Sequence, residues 1–85
     1  MDEAASDALE LFGTRTCPYT AALREQLLWE GRDFIEYDVD ADPVALARML
    51  ALTGGQRTVP VLVERGQVSQ VGWRGLGGLV DAGDS

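Results

Sequence analysis

Alternating blocks of apolar and polar residues divide the first half of the chain into two strands with a helix between them. Segment 8–12 is mostly apolar and ends at Gly13, which is typical of a short buried strand. From Pro18 onward, apolar residues recur at helical spacing until Gly31, where glycine favours the end of a helix. Segment 34–39 is rich in aromatic and β-branched residues and predicts a second strand.

The second half of the chain begins with another helix and continues into a hairpin. Asp42-Pro43 suits a helix start, because Asp accepts hydrogen bonds from free N–H groups and Pro fits the first turn. Apolar residues then follow at helical spacing up to Gly54-Gly55. Segment 59–64 predicts a third strand, and after the turn at Arg65-Gly66 segment 67–71 predicts an antiparallel fourth strand. The order β-α-β-α-β-β predicts an α/β fold with a four-stranded mixed sheet.

The two ends of the chain carry weaker patterns. Residues 1–7 are polar and acidic, and we expect them to form a flexible tail before a single domain at residues 8–82. Glycine is frequent after residue 72 and disfavours a helix. We therefore expect a third helix, between Leu76 and Ala82, to be short or degenerate.

Composition and charge argue against several classes of function. The chain has 85 residues and a net charge of -7, so it lacks the basic face that binds nucleic acid or an anionic membrane. It contains no histidine and one cysteine, which argues against a metal site within one chain. No apolar run is long enough to span a membrane, and the acidic start is unlike a signal peptide. We expect a monomeric cytoplasmic protein without a tightly bound cofactor.

The one cysteine, Cys17, stands at the predicted start of the first helix, directly before Pro18. Free N–H groups and the positive end of the helix dipole at such a position favour a thiolate. The N–H groups of Tyr19 and Thr20, the Thr20 hydroxyl and the charge of Arg15 are further candidates to stabilise this anion. We therefore predict a Cys17 pKa below the ordinary value of a free thiol. The alternative for a lone cysteine is a small buried apolar residue.

Three features of the sequence, in this order, resemble the glutaredoxin family. They are Thr-Cys-Pro-Tyr-Thr at residues 16–20, Arg-Thr-Val-Pro at residues 57–60, and the glycine turn after the fourth predicted strand. The resemblance covers residues 8–78 and implies a thioredoxin-like fold. Because Gly-Trp-Arg-Gly at residues 72–75 accompanies Cys-Pro-Tyr-Thr, the pattern looks closest to the monothiol and UXX-star branches of glutaredoxin-like proteins.

The resemblance also implies a set of site residues. The family's active cysteine corresponds to Cys17, its cis-proline to Pro60, and its glutathione-binding backbone to Val59. Thr20 is a second catalytic candidate. The other candidates for binding substrate or glutathione are Arg15, Tyr19, Arg57, Thr58, Gly72 and Trp73. Two features of the family are missing, because Thr14 stands in place of a lysine and Trp73-Arg74 in place of an acidic residue.

With one cysteine, a mixed disulfide cannot be resolved within the chain, because Thr20 stands where a Cys-x-x-Cys motif has its second thiol. The resemblance implies a monothiol thiol–disulfide oxidoreductase whose partners are glutathione and disulfide-containing small molecules or proteins. Cys17 would attack a glutathionylated or other mixed disulfide, and a second thiol, most simply glutathione as co-substrate, would release it. Two alternatives stay open: a catalytically weak redox sensor or protein-binding module of the same fold, and a dimer that bridges a [2Fe–2S] cluster.

Overall fold

The structure is a computed structural model that describes residues 9–80, and the predicted tail at residues 1–7 lies outside this range. Two β-α units lead into a set of short strands. The elements are β1 (Leu9–Gly13), α1 (Pro18–Trp29), β2 (Phe34–Asp38), α2 (Pro43–Thr53), β3 (Thr58–Val59), β4 (Val61–Glu64), β5 (Gln67–Val71) and β6 (Gly78–Leu79).

Both helices begin and end where the local sequence favours it. Helix α1 starts at Pro18, with Cys17 as the extended residue before its first turn. Helix α2 is capped by Asp42, whose carboxylate accepts hydrogen bonds from backbone N–H groups two and three residues later, at 3.1 and 3.2 Å. The chain leaves α2 at Gly54 and turns after α1 at Gly31, both in the left-handed conformation that glycine tolerates best.

The main sheet is mixed and has four strands, as the sequence predicts, and their order is β2-β1-β4-β5. Strand β1 pairs in parallel with β2 and antiparallel with β4, and β4 pairs antiparallel with β5. In the parallel pair, Gly13 at the carboxyl end of β1 lies beside Asp38 of β2. Helix α1 begins from this end of the strands. The mixed sheet therefore presents the loop before Cys17 at one end of its central strands.

The two helices cover opposite faces of this sheet. On one face, Leu23 and Leu27 of α1 pack with Leu9, Leu11 and Leu62. On the other face, the buried residues of α2 pack against strands β1, β3 and β4; this cluster contains Phe12, Cys17, Val39, Ala45, Met49, Val59, Val61, Val63 and Val80. Each fully buried large apolar side chain contributes about 1.5–3 kcal/mol. Cys17 thus lies at the margin of the α2-side core.

The third predicted strand is divided in two. The prediction of one strand at residues 59–64 was wrong. Pro60 has no N–H to donate, so the ladder of strand hydrogen bonds is interrupted there: β3 ends at Val59 and β4 begins at Val61. The bond between Val59 and Pro60 is cis, in agreement with the cis-proline that the resemblance implied. Strand β3 leaves the main sheet and pairs instead with β6, with Val59 opposite Gly78 and Thr58 opposite Leu79.

The expected helix between Leu76 and Ala82 is absent from the part that the structure describes. Residues 72–80, called here the glycine segment, form a turn followed by strand β6, and residues 81–82 lie outside the described range. Gly72 and Gly75 adopt positive φ angles of 82° and 80° in the turn that precedes β6. Strand pairing with β3 satisfies backbone groups that a helix would otherwise have satisfied internally.

Candidate active site

The candidate active site is centred on Cys17, at the junction of β1 and α1. Cys17 holds the N-cap position of α1 with extended backbone angles (φ -82°, ψ 117°), and its C=O accepts the first helical hydrogen bond, from Ala21, at 3.2 Å. The residue is 8% exposed, and its sulfur faces the strand pair β3–β6. A helix start, a strand edge and a glycine therefore converge on one sulfur atom.

Hydrogen-bond donors at the sulfur determine its acidity. Burial alone would raise the pKa of the Cys17 thiol, but the hydroxyl and N–H of Thr20 and the N–H groups of Tyr19 and Gly78 outweigh it. The pKa consequently lies below the value of an ordinary thiol. The Cys17 side chain does not form a regular N-cap hydrogen bond with the first turn of α1, unlike the oxygen of Asp42 at the start of α2. The predicted direction is confirmed, and hydrogen bonds rather than the charge of Arg15 account for it.

Thr20 stands directly behind the sulfur. Its side chain is fully buried, and its hydroxyl oxygen has no regular hydrogen-bond partner among the described residues. The hydroxyl proton is therefore free to point at the Cys17 sulfur, whose pKa it lowers. Gly13 leaves the space that Thr20 occupies, because a Cβ built on Gly13 would lie less than 3.0 Å from three side-chain atoms of Thr20. The close approach of β1 to α1 thus holds this hydroxyl in place.

A cavity of about 230 Å³ opens beside the sulfur. Its walls are formed by the loop and first turn of α1, by Val59, by residues 78–80 of the glycine segment, and by Asp40. This volume is smaller than that of ordinary small-molecule pockets, which run from about 300 to 1,000 Å³. A peptide-sized substrate must therefore extend outside the cavity or displace part of its wall.

The structure brings together about half of the residues that the sequence predicted for the site. Cys17, Tyr19 and Val59 line the cavity. Thr20 lies behind the sulfur, and Pro60 follows Val59 through the cis bond. These five residues lie close together in the structure, and their assignment to a binding or catalytic site stays a prediction.

The two predicted anion-binding arginines, Arg15 and Arg57, and the predicted Thr58 do not line the cavity. Arg15 is exposed over 87% of its side chain and pairs with Asp38 at 3.5 Å, so its charge is partly neutralised. Arg57 is exposed, and its backbone oxygen accepts a hydrogen bond from the N–H of Val80 at 2.9 Å. Thr58 stands opposite Leu79 in the β3–β6 pair.

Gly72 and Trp73 do not line the cavity beside Cys17. The N–H of Gly72 donates to the backbone oxygen of Pro60 at 2.6 Å, which anchors the start of the glycine segment. Trp73 packs on the α1-side core, and its ring N–H donates to Gln26 at 3.1 Å. Their predicted contact with glutathione stays a prediction. In the structure, Gly72 fastens the turn to Pro60, and Trp73 fastens it to α1.

Sequence reasoning missed several residues at the site, and three of them have an identifiable role. Gly78 donates its N–H to the sulfur, Gly13 makes room for Thr20, and Asp40 lines the cavity. The paired glycines at residues 77–78 were a usable signal, because glycine in a strand often marks a close backbone approach. Among residues 9–80, no group of three His, Cys, Asp or Glu side chains is arranged to hold a metal ion. The same range contains no helix long and apolar enough to cross a bilayer.

Two solved structures with a similar fold are a thioredoxin-like protein and a glutaredoxin. A crystal structure of a mutant thioredoxin-like protein superposes with a TM-score of 0.70 at 26% identity, covering 78% of this chain and 82% of that one. A glutaredoxin from Archaeoglobus fulgidus gives a TM-score of 0.68 at 23% identity, covering 80% of this chain and 77% of that one. The thioredoxin-like fold implied by the resemblance is confirmed.

Sequence comparison connects the chain to a family. A probable glutaredoxin from Synechocystis is 40% identical over 52 residues, which are 61% of this chain and 48% of that protein. The match thus spans about half the length of this relative. The sequence model of the glutaredoxin family matches residues 9–68, which include Cys17 and Pro60. This match extends over most of the chain, and the chain therefore belongs to the glutaredoxin family.

Proposed function

We propose that this glutaredoxin-family chain is a monothiol thiol–disulfide oxidoreductase that acts on glutathionylated and other mixed disulfides through Cys17. The observation that carries the proposal is the set of donors at the Cys17 sulfur, which lower its pKa although the residue is buried. Thiolate is the attacking species in disulfide exchange, so a lowered pKa raises the reactive fraction at neutral pH. A structural cysteine in an apolar core would have its pKa raised instead.

The reaction has two exchange steps. In the first, the Cys17 thiolate attacks one sulfur of the substrate disulfide, a new S–S bond forms to Cys17, and the other substrate sulfur leaves as a thiolate that takes up a proton. In the second, the thiolate of glutathione attacks the substrate-derived sulfur of the adduct, a disulfide forms between these two external sulfurs, and Cys17 leaves as the thiolate. The second thiol must come from outside, because Cys17 is the only cysteine in the sequence. The overall balance is one disulfide reduced for each disulfide formed.

Glutathione is the co-substrate that we propose on the basis of the family and of the strand edge at Val59. Backbone groups at such an edge can pair with the amide groups of a peptide. The exposed Arg57 lies two residues before Val59, where its guanidinium can bind a carboxylate of glutathione. Asp40 lines the cavity and the net charge is -7, so we expect weaker binding of this anionic tripeptide than an electropositive rim would give. A reducing compartment such as the cytoplasm would keep Cys17 available.

The test is a glutathione-coupled disulfide reduction assay on the wild type, on Cys17→Ser, and on the double variant Cys17→Ser/Ser69→Cys. Ser69 is exposed on β5, outside the cavity, so the double variant keeps one thiol but moves it away from the helix start. We expect turnover in the wild type and a loss of about 100-fold or more in both variants. Equal activity in the double variant would contradict a role for the site.

Intact mass measurement after incubation with oxidised glutathione supplies the second readout. One glutathione adduct on the wild type and none on Cys17→Ser is the expected result. An adduct that forms but never turns over would favour the alternative of a redox sensor or protein-binding module. Absence of any adduct on the wild type would contradict the proposed reaction.

A further inference from the structure

Strand β6 occupies the backbone edge beside the Cys17 sulfur. Gly78 and Leu79 pair antiparallel with Val59 and Thr58, and the N–H of Val80 donates to the oxygen of Arg57 at 2.9 Å. A Cβ built on Gly78 would lie in van der Waals contact with the sulfur, at 3.4 Å, so β6 passes directly beside that atom. The edge nearest the nucleophile is therefore taken by an extended segment of the same chain.

This occupation conflicts with disulfide exchange. The incoming sulfur must come within bonding distance of the Cys17 sulfur, approximately in line with the bond that breaks, and Cys17 is 8% exposed. The cavity beside it, of about 230 Å³, has residues 78–80 as one of its walls. A cysteine within a peptide cannot enter this volume together with its flanking backbone.

The contacts that hold β6 are few. The strand has two residues, the side chain of Leu79 is 77% exposed, and a glycine, Gly77, directly precedes it. Val80 anchors its far end in the α2-side core. Short pairings of this kind open at low cost compared with core strands, so a competing strand can replace them.

Pairing of a substrate peptide with the backbone at Val59 belongs to the proposed function. We propose in addition that β6 is an internal occupant of this edge, which an extended cysteinyl peptide displaces when it pairs with Thr58 and Val59. The proposal rests on the proposed function, since it concerns the substrate of the same thiolate. Strand addition to a sheet edge is a recurring mode of peptide recognition. Displacement exchanges one set of backbone hydrogen bonds for another, so a peptide disulfide can open the site, whereas a small non-peptide disulfide recovers none of the lost pairing.

The direct test is amide hydrogen exchange on two stable adducts of Cys17. One adduct carries a blocked five-residue peptide with a central cysteine, and the other carries 2-mercaptoethanol. In the peptide adduct we expect the N–H of Val80 to exchange at least about tenfold faster than in the free protein, while Val59 keeps its protection. In the 2-mercaptoethanol adduct we expect Val80 to keep its protection.

The possible results separate this proposal from the proposed function. Protection of Val80 in both adducts would overturn displacement while leaving Cys17 chemistry intact. Loss of Val80 protection in both adducts would overturn the idea that peptide pairing is what displaces β6. Failure of both adducts to form would overturn the proposed function, and this proposal with it.

A variant tests the same contact in the free protein. Gly77→Ala would place a Cβ 2.7 Å from the backbone oxygen of Val59, which cannot move aside, so β6 should lift from β3. We expect Cys17 to react with iodoacetamide about three- to tenfold faster at about pH 10, where the thiol is ionised in both proteins. Leu76→Ala is the matched control, because Leu76 is half exposed in the same segment and does not line the cavity. Equal rates in Gly77→Ala and wild type would overturn the covering role of β6.

Discussion

The β1–α1 unit and the glycine segment both contact the sulfur of Cys17, yet they are held in the fold in different ways. The β1–α1 unit combines a central strand, paired on both sides, with a helix whose Leu23 and Leu27 are buried. The glycine segment reaches the sulfur through a two-residue strand. Its described apolar contacts with the two cores are made by Val80, which is buried, and by Trp73, which is partly buried. The nucleophile is thus positioned by well-packed elements, while its cover is held by few contacts.

The acidity of Cys17 comes mainly from the β1–α1 unit, whereas access to its sulfur is limited by the glycine segment. Three of the four donors at the sulfur belong to Tyr19 and Thr20, on the first turn of α1. Gly78 supplies the fourth donor, and the same residue closes one side of the approach. Changes in the β1–α1 unit should therefore alter stability and pKa, and changes in the glycine segment should alter reactivity towards large substrates.

The largest expected effect compares the anchors of the two regions. Leu23→Ala removes a fully buried side chain of α1 and should lower the free energy of unfolding by about 3–4 kcal/mol. Val80→Ala should cost about 1–2 kcal/mol, because it removes less buried surface from a peripheral strand. Urea denaturation measures both values. An equal cost for Val80→Ala would show that the glycine segment is as tightly integrated as the helix.

The next effect concerns the contact between Gly13 and Thr20. Gly13→Ala should destabilise the protein by about 2 kcal/mol, because the new methyl group overlaps the Thr20 side chain. It should also raise the pKa of Cys17, since the Thr20 hydroxyl is pushed from its place. In the Thr20→Ala background, Gly13→Ala should lower the free energy of unfolding much less. The double-mutant cycle should therefore give a coupling energy different from zero. Additive costs would mean that the two residues are not coupled.

A smaller effect isolates the Thr20 hydroxyl. Thr20→Val keeps the shape of the side chain and removes the donor, so the pKa of Cys17 should rise and the alkylation rate at pH 7 should fall roughly fivefold. Stability should change little, because the hydroxyl has no other regular partner. Thr20→Ser, which keeps the hydroxyl, is the control and should retain most of the rate. An unchanged rate in Thr20→Val would assign the lowered pKa to backbone donors alone.

The smallest effect is a pH dependence of stability. The folded pKa of Cys17 is below its unfolded value, so between the two values the unfolded chain binds more protons and the free energy of unfolding rises with pH. This stabilisation is fully present above the unfolded pKa and is lost as the pH falls through the folded one. Subtracting the curve of Cys17→Ser isolates it from other groups. If the difference in free energy of unfolding between wild type and Cys17→Ser stayed constant from pH 5 to 9, the range of ordinary thiol ionisation, the donors would not lower the pKa of Cys17.

Sequence patterns predicted the parts of the fold that depend on local chemistry. The capping of α2 by Asp42, the start of α1 at Pro18 and the glycine ends of both helices follow from rules about single turns. The direction of the Cys17 pKa followed from the same reasoning, because a helix start supplies donors whatever the rest of the fold. These features need no knowledge of distant partners.

The glycine segment could not be predicted in this way. Leu76, Leu79 and Val80 have a spacing that suits one face of a helix, and the segment forms a strand because β3 offers it a partner some twenty residues away in sequence. Pro60 was a signal for the division of β3 from β4, since a residue without an N–H interrupts a strand. The contact of Gly13 with Thr20 depends on how closely a strand and a helix approach, which no sequence pattern reports.

The donor set at the Cys17 sulfur has a consequence for the adduct as well as for the free thiol. A sulfur that is stable as an anion is also a good leaving group when another thiol attacks its partner in a disulfide. The N–H groups of Tyr19 and Thr20 remain in place when the charge is absent, so they favour the return of the electron pair to Cys17. The adduct is therefore built to be short-lived, as suits a chain that carries groups between thiols rather than storing them.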